Sequence, residues 1–176
     1  EMIAGIHKNA TEQEGASAEV TVDQRLISAC SSVLEQAIAA GKDPRFDRAM
    51  IAAMLILPSE SYLAELQDVV DVDAIHEARE RVRREIAIRL RPQLMAIYEL
   101  CEGGQTYEAT GSEIGRRDLR NVALAYLMQA GDEESLALCR QQFETAICMS
   151  DTAAAIRAVI NSSSDAAVAV KAEMLD

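Results

Sequence analysis

"DAIHEARERVRREIAIRLRPQLMAIYELC", Asp73 to Cys101, places apolar residues at Ile75, Ala78, Val82, Ile86, Leu90, Leu94, Ile97 and Cys101. Every step is three or four residues, the spacing of one face of an α-helix. The register runs straight through Pro92, which predicts one long helix kinked at that residue. A mid-helix proline forfeits a backbone hydrogen bond at about 3 kcal/mol, so two coaxial helices broken near Arg91 are the alternative. The outer face is dense in opposite charges three and four residues apart. That is the pattern of a solvated helix face, each pair adding only about 0.2–0.5 kcal/mol.

The same period recurs on both sides of this stretch. Thr21 and Gln24 have the spacing of a capping box, and Leu26, Cys30, Val33, Leu34, Ala37 and Ile38 follow as a stripe that stops at Gly41. Asp43-Pro44 predicts a cap and first turn for a second helix with Phe46, Ala49, Met50, Ala53, Met54 and Leu57 inward. Pro58 ends it, and Ser59 caps a short third helix with Glu60 at its positive end and Leu63, Leu66 and Val70 as its face. Beyond Gly103-Gly104, Ser112 is the expected cap of a helix burying Leu119, Val122, Ala123, Tyr126 and Leu127. Asp132 caps the next, with Leu136, Cys139, Phe143, Ala146 and Ile147 inward. Ser150-Asp151 starts another, burying Ile156, Val159 and Ile160, and Asp165 starts a last one that is expected to leave Val168, Val170 and Leu175 exposed.

These segments predict an all-α chain of about eight helices with short connections: an irregular αα superhelix of antiparallel helix pairs, HEAT-like, without a strict repeat period. Residues 1–20 are expected to be a tail or linker, and 21–176 a partial superhelix domain. The composition agrees, since 49% of the 176 residues are hydrophobic, mostly Ala and unbranched or aliphatic types, with no Trp and two Phe. A net charge of −12 disfavours a grip on nucleic-acid phosphates. No run approaches the roughly 18 apolar residues needed to cross a bilayer, so no membrane partner is expected. The four cysteines, Cys30, Cys101, Cys139 and Cys148, lie far apart at apolar positions. They predict reduced core thiols in a cytoplasmic setting.

Candidate chemistry is sparse. His76-Glu77 begins like H-E-x-x-H, in which two histidines one turn apart bind zinc, but residue 80 is Glu80, and the other histidine, His7, lies near the start. Two histidines leave little for nucleophilic catalysis. Arg116, Arg117 and Arg120 suggest a phosphate or carboxylate clamp, against the plainer reading of charges on the solvent or interhelical side of their helix. Leu57-Pro58-Ser59-Glu60 reads as a joint between helices. No catalytic, cofactor-binding or metal-ligating residue is assigned.

Several stretches carry a family resemblance: "LPSESYLAEL", "EIAIRLRPQLMAIYE", "RRDLRNVALAYL" and "CRQQFETAICMSDTAAAIRAVIN". In order and spacing they resemble the C-terminal helical domain of bacterial-type aminopeptidase N, a zinc metallopeptidase of the gluzincin group, from about Gln24 to Asp176. The resemblance implies a parent hydrolase that removes N-terminal residues from peptides by a zinc-activated water, with the zinc and substrate-amine motifs in a thermolysin-like domain absent from this chain. It implies that this chain is non-catalytic by itself, lacks zinc, packs on that catalytic domain, encloses the active-site chamber and limits peptide access, and is truncated at both ends relative to the parent. The competing expectation is a stand-alone helical-repeat scaffold for protein interaction.

Overall fold

The computed structural model describes residues 21–103, 106–162 and 165–175, and every regular element among them is helical. The segment expected to be a tail, 1–20, lies outside the described residues. The helices are α1 (Gln24–Ala40), α2 (Arg48–Leu55), α3 (Glu60–Glu65), α4 (Val72–Arg89), α5 (Arg91–Leu100), α6 (Gly111–Leu127), α7 (Glu133–Thr145), α8 (Met149–Ile160) and α9 (Asp165–Leu175), with a 3-10 turn at Met128–Ala130. There are nine α-helices among the described residues rather than about eight, because the long stripe divides at Leu90.

That division follows the alternative and not the single kinked helix. Leu90 leaves helical geometry (φ −110°, ψ 16°), and Pro92 falls in the first turn of α5, where its missing N–H loses nothing. Register survives the joint: Leu90 N donates to Ile86 O and Leu94 N to Leu90 O, both at 2.9 Å. Ile75, Val82, Ile86, Leu90, Leu94, Ile97 and Cys101 are all buried, and Ala78 partly so.

Caps depart from expectation where several polar residues compete. The cap of α1 is Asp23, not Thr21, accepting from Arg25 N at 2.8 Å. The cap of α6 is Thr110, not Ser112, and α8 starts at Met149 after Cys148. At α2 the cap is Asp47, accepting from Met50 N at 3.0 Å, because residues 43–47 are held as a turn. Arg45 pairs with Asp43 at 2.8 Å, and the Arg48 guanidinium donates to the carbonyls of Gly41 and Asp43. Ser59, Asp132 and the Gly41 stop (φ +55°) stand as predicted.

The buried face of α2 also differs. Ile51, Ala52 and Leu55 are inward, whereas Met50 and Met54 are each 58% exposed. After Arg48 the helix "RAMIAAML" is apolar all round, so its periodicity has no phase and packing sets the face. On α3 Leu63 is buried, but Leu66 and Val70 are exposed because the helix ends at Glu65. Ile147 and Ile160, expected inward, are exposed, and Ala155 and Ala158 take the core positions on α8. On α9 Val168 is exposed as expected, but Val170 is buried with Ala167 and Met174 in the core cluster; the Leu175 side chain lies outside the described residues.

Packing forms two rows. α1 lies against α2 and α5, α5 against α6, α2 and α8 flank α6, and α7 and α9 back α8. Tyr98 faces Arg120 and Cys101 faces Arg116, so α5 and α6 are antiparallel; Gln142 faces Asp151 and Cys139 faces Ala155, so α7 and α8 are too. By contrast Gly115 abuts Ala49 and Tyr126 reaches Leu55, which makes α2 parallel to α6. The result is the all-α array of antiparallel pairs expected from sequence, with α2, α6 and α8 side by side in one layer.

Candidate functional site: a polar seam and an alanine-floored trough

Three of the stretches that carried the resemblance meet one another, Arg120 bonding Tyr98 and Asn121 bonding Asp151. Asn121, from "LRN" on α6, donates through Nδ2 to Asp151 Oδ1 at 3.0 Å, and Asp151 comes from "MSDTAA" at the start of α8. Gln142 on α7 closes the triangle, its Nε2 donating to Asn121 Oδ1 at 2.7 Å and to the Asp151 carbonyl at 3.2 Å. Asp151 and Gln142 are buried. Most buried polar groups are bonded, and although Gln142 Oε1 has no partner among the described residues, the bonds of this triangle fix how three helices seat on one another. The proline joint is tied in likewise: Arg79 Nε donates to the Pro58 carbonyl at 3.0 Å, and the Tyr126 hydroxyl to the Leu55 carbonyl at 2.6 Å. Burial pushes the Tyr126 hydroxyl well above its usual range, so it remains a donor.

The arginine cluster is interhelical. Arg116 bonds Glu113 at 2.9 Å and the Cys101 carbonyl; Arg117 is buried, donates to the Glu108 carbonyl at 3.0 Å and stacks on Tyr107; Arg120 lies 4.5 Å over the Tyr98 ring and donates to its hydroxyl. Each guanidinium is engaged, and the three do not converge as a clamp. His76 lies in the second turn of α4 and bonds Glu60 Oε1 of α3 through Nδ1 at 2.9 Å, which raises its pKa above the ordinary histidine value. Among the described residues no group of three or more His, Cys, Asp or Glu is placed to hold a metal ion, so none of those groups fits a zinc. All four cysteines are free, Cys148 alone being only partly buried, and burial pushes the Cys139 thiol up to about 11.

The feature that helical periodicity did not reveal is a trough of about 520 Å³ along the layer of α2, α6 and α8. Its floor is small: Ala49, Ala53, Ala125, Ala153 and Ala154, flanked by Val122 and Ile56. At Arg83 and Asn161 it continues into a second, polar depression of about 610 Å³ that holds Arg79, Arg84, His76 and Glu77. The one sequence signal for it was the apolar circumference of α2, which leaves an outer face without cover. No catalytic constellation of nucleophile and base lines either part.

The sequence profile of a family described as a domain of unknown function (DUF3458_C) with ARM repeats matches residues 2–175. The chain belongs to this family. It is 36% identical over 118 residues to aminopeptidase N of Escherichia coli (strain K12), covering 67% of this chain and 13% of that protein. It is 31% identical over 109 residues to aminopeptidase N of Caulobacter vibrioides, covering 62% of this chain and 13% of that protein. A crystal structure of Legionella pneumophila aminopeptidase A in complex with aspartic acid shares the fold, with a TM-score of 0.66 at 20% identity over 96% of this chain and 19% of that one. The DUF3458_C chain thus spans about 13% of the length of these curated relatives. Together they bear out the resemblance to the C-terminal helical domain of aminopeptidase N.

Proposed function

We propose that this chain is the non-catalytic helical domain of a zinc aminopeptidase, a hydrolase removing N-terminal residues from peptides, and that it packs on the catalytic domain, encloses the active-site chamber and limits which peptides enter. The observation that carries this is the seam itself. The family-like stretches around Asn121 and Asp151 bond each other across helices, and Arg79 of α4 ties down the Pro58 joint, so these stretches seat a layer of helices rather than supply a reacting group. A domain built that way supplies shape, and its relatives are aminopeptidases. Zinc, in this reading, is held by residues of the catalytic domain. No helix among the described residues is long and apolar enough to cross a membrane, and four free thiols suit a reducing cytoplasm.

The test is to express the complete reading frame and assay hydrolysis of alanyl-p-nitroanilide with and without a zinc chelator. Chelator-sensitive turnover by the complete protein and none by the 176-residue chain is expected. An upstream sequence lacking H-E-x-x-H, or turnover by the 176-residue chain at the complete protein's rate, sinks the proposal. Deletion of the domain should also relax discrimination between short and long peptides.

A further inference from the structure

The trough has opposite unpaired charges spaced along its length, Asp118 near one end and Arg157 about one turn short of the other. Of the fourteen arginines, Arg84 and Arg157 alone have side chains that make no hydrogen bond, ion pair or ring contact within the described residues; Arg157 lines the trough and Arg84 its extension. Asp118, near the other end, is likewise unpaired. The placement follows from the helix directions. Asp151 of α8 stands beside Asn121 of α6; α8 is antiparallel to α7, and the short connection 128–132 turns α6 back into α7, so α6 and α8 run the same way. Arg157 therefore stands level with residue 127, nine residues beyond Asp118, or about 14 Å along the axis.

We propose that this trough binds a short peptide in extended form, its terminal ammonium at Asp118, its small side chains on the alanine floor and its terminal carboxylate at Arg157. The choice of a peptide rests on the aminopeptidase reading; the length and polarity rest on the trough. An extended chain advances about 3.3–3.6 Å per residue, so about four residues span the gap between the two charges. A volume of 520 Å³ lies in the range of ligand sites, whereas about 14 Å of helix, 10–12 Å across with side chains, occupies over twice that. The chain's net charge of −12 does not override the local pattern, since fields from distant acids are screened beyond about 8 Å at physiological ionic strength.

The test uses the 176-residue chain and tetraalanine, titrated calorimetrically. Tetraalanine should bind, and N-acetylation or C-amidation should each weaken binding by about two- to fivefold, the scale of one exposed charge pair. In Arg157→Ala the effect of amidation should vanish while that of acetylation persists; in Asp118→Ala the reverse should hold. Both side chains are exposed and unpaired, so neither variant should lose its circular-dichroism helix signal. Ala154→Phe, which fills the floor, should abolish binding. No binding of tetraalanine, or sensitivities to end-blocking that survive in both variants, overturns the inference. Because no hydrolysis is read, a complete protein without aminopeptidase activity that still binds tetraalanine here would refute the proposed function and leave this site standing.

Discussion

At Ser59 the side chain accepts from Tyr62 N at 3.2 Å and satisfies one of the free N–H groups of α3. Ser59→Ala should therefore cost about 1 kcal/mol in urea denaturation. Asn121 carries more, because its amide serves two buried partners at once. Asn121→Ala strands a donor on Gln142 and an acceptor on Asp151 and should cost about 1–3 kcal/mol. Asp151→Asn keeps an acceptor for Asn121, so its loss should be smaller; a larger loss would show that the carboxylate charge, and not the seam's geometry, is what matters. Gly115 has a different reason. A Cβ there would sit 2.8 Å from Ala49 N, a backbone atom of α2. Gly115→Ala should lower the denaturation midpoint by the equivalent of about 1–3 kcal/mol, even though alanine is the better helix former by about 1 kcal/mol.

Elements meet at joints that titrate or resist titration according to exposure. The α3–α4 joint holds His76 against Glu60, and the hydrogen bond and charge of Glu60 raise the histidine's pKa. Because the folded value is the higher one, the contribution of this pair is fully present below the unfolded pKa of about 6.5 and is lost as pH rises through the folded value. An NMR titration should place His76 above the ordinary histidine value in the native chain and return it toward that value in Glu60→Gln. The α5–α7 joint behaves oppositely. Arg91 pairs with Asp132 at 2.8 Å and Glu134 at 2.7 Å. For Asp132, partial burial is the largest influence and opposes ionisation, but the Ser135 and Arg91 bonds together outweigh it and lower its pKa. Its stabilisation is present above about pH 4 and disappears as pH falls through the depressed value.

For the whole molecule, the phase of α2 is the informative case. The sequence placed Met50 and Met54 inward, and the fold turns them out beside the trough. Met50→Lys with Met54→Lys should change stability by no more than about 0.5 kcal/mol per site, as exposed substitutions do. If sedimentation and denaturation showed instead that the pair unfolds the chain, the observed face of α2 would be wrong. The stripe from Ile75 to Cys101 was legible because a helix with one polar face has one way to bury the other. α2 was not, because an all-apolar helix is compatible with several rotations until Gly115 of α6 selects one.

Local order was thus set by sequence: the helical class, the joint at Pro58, the caps at Ser59 and Asp132, the burial of most of the long stripe, and the family to which the chain belongs, whereas the break at Leu90 had been only the alternative to a single kinked helix. These depend on residues within a few positions of one another, where propensity and spacing act directly. Tertiary structure alone decided which competing cap was used, which face of α2 was buried, that Val170 docks, and that Asn121, Gln142 and Asp151 form one triangle. It also decided that Asp118 and Arg157 line one trough about nine helical residues apart. Contacts between residues twenty or more positions apart are set by close packing of whole helices, and no local period encodes them.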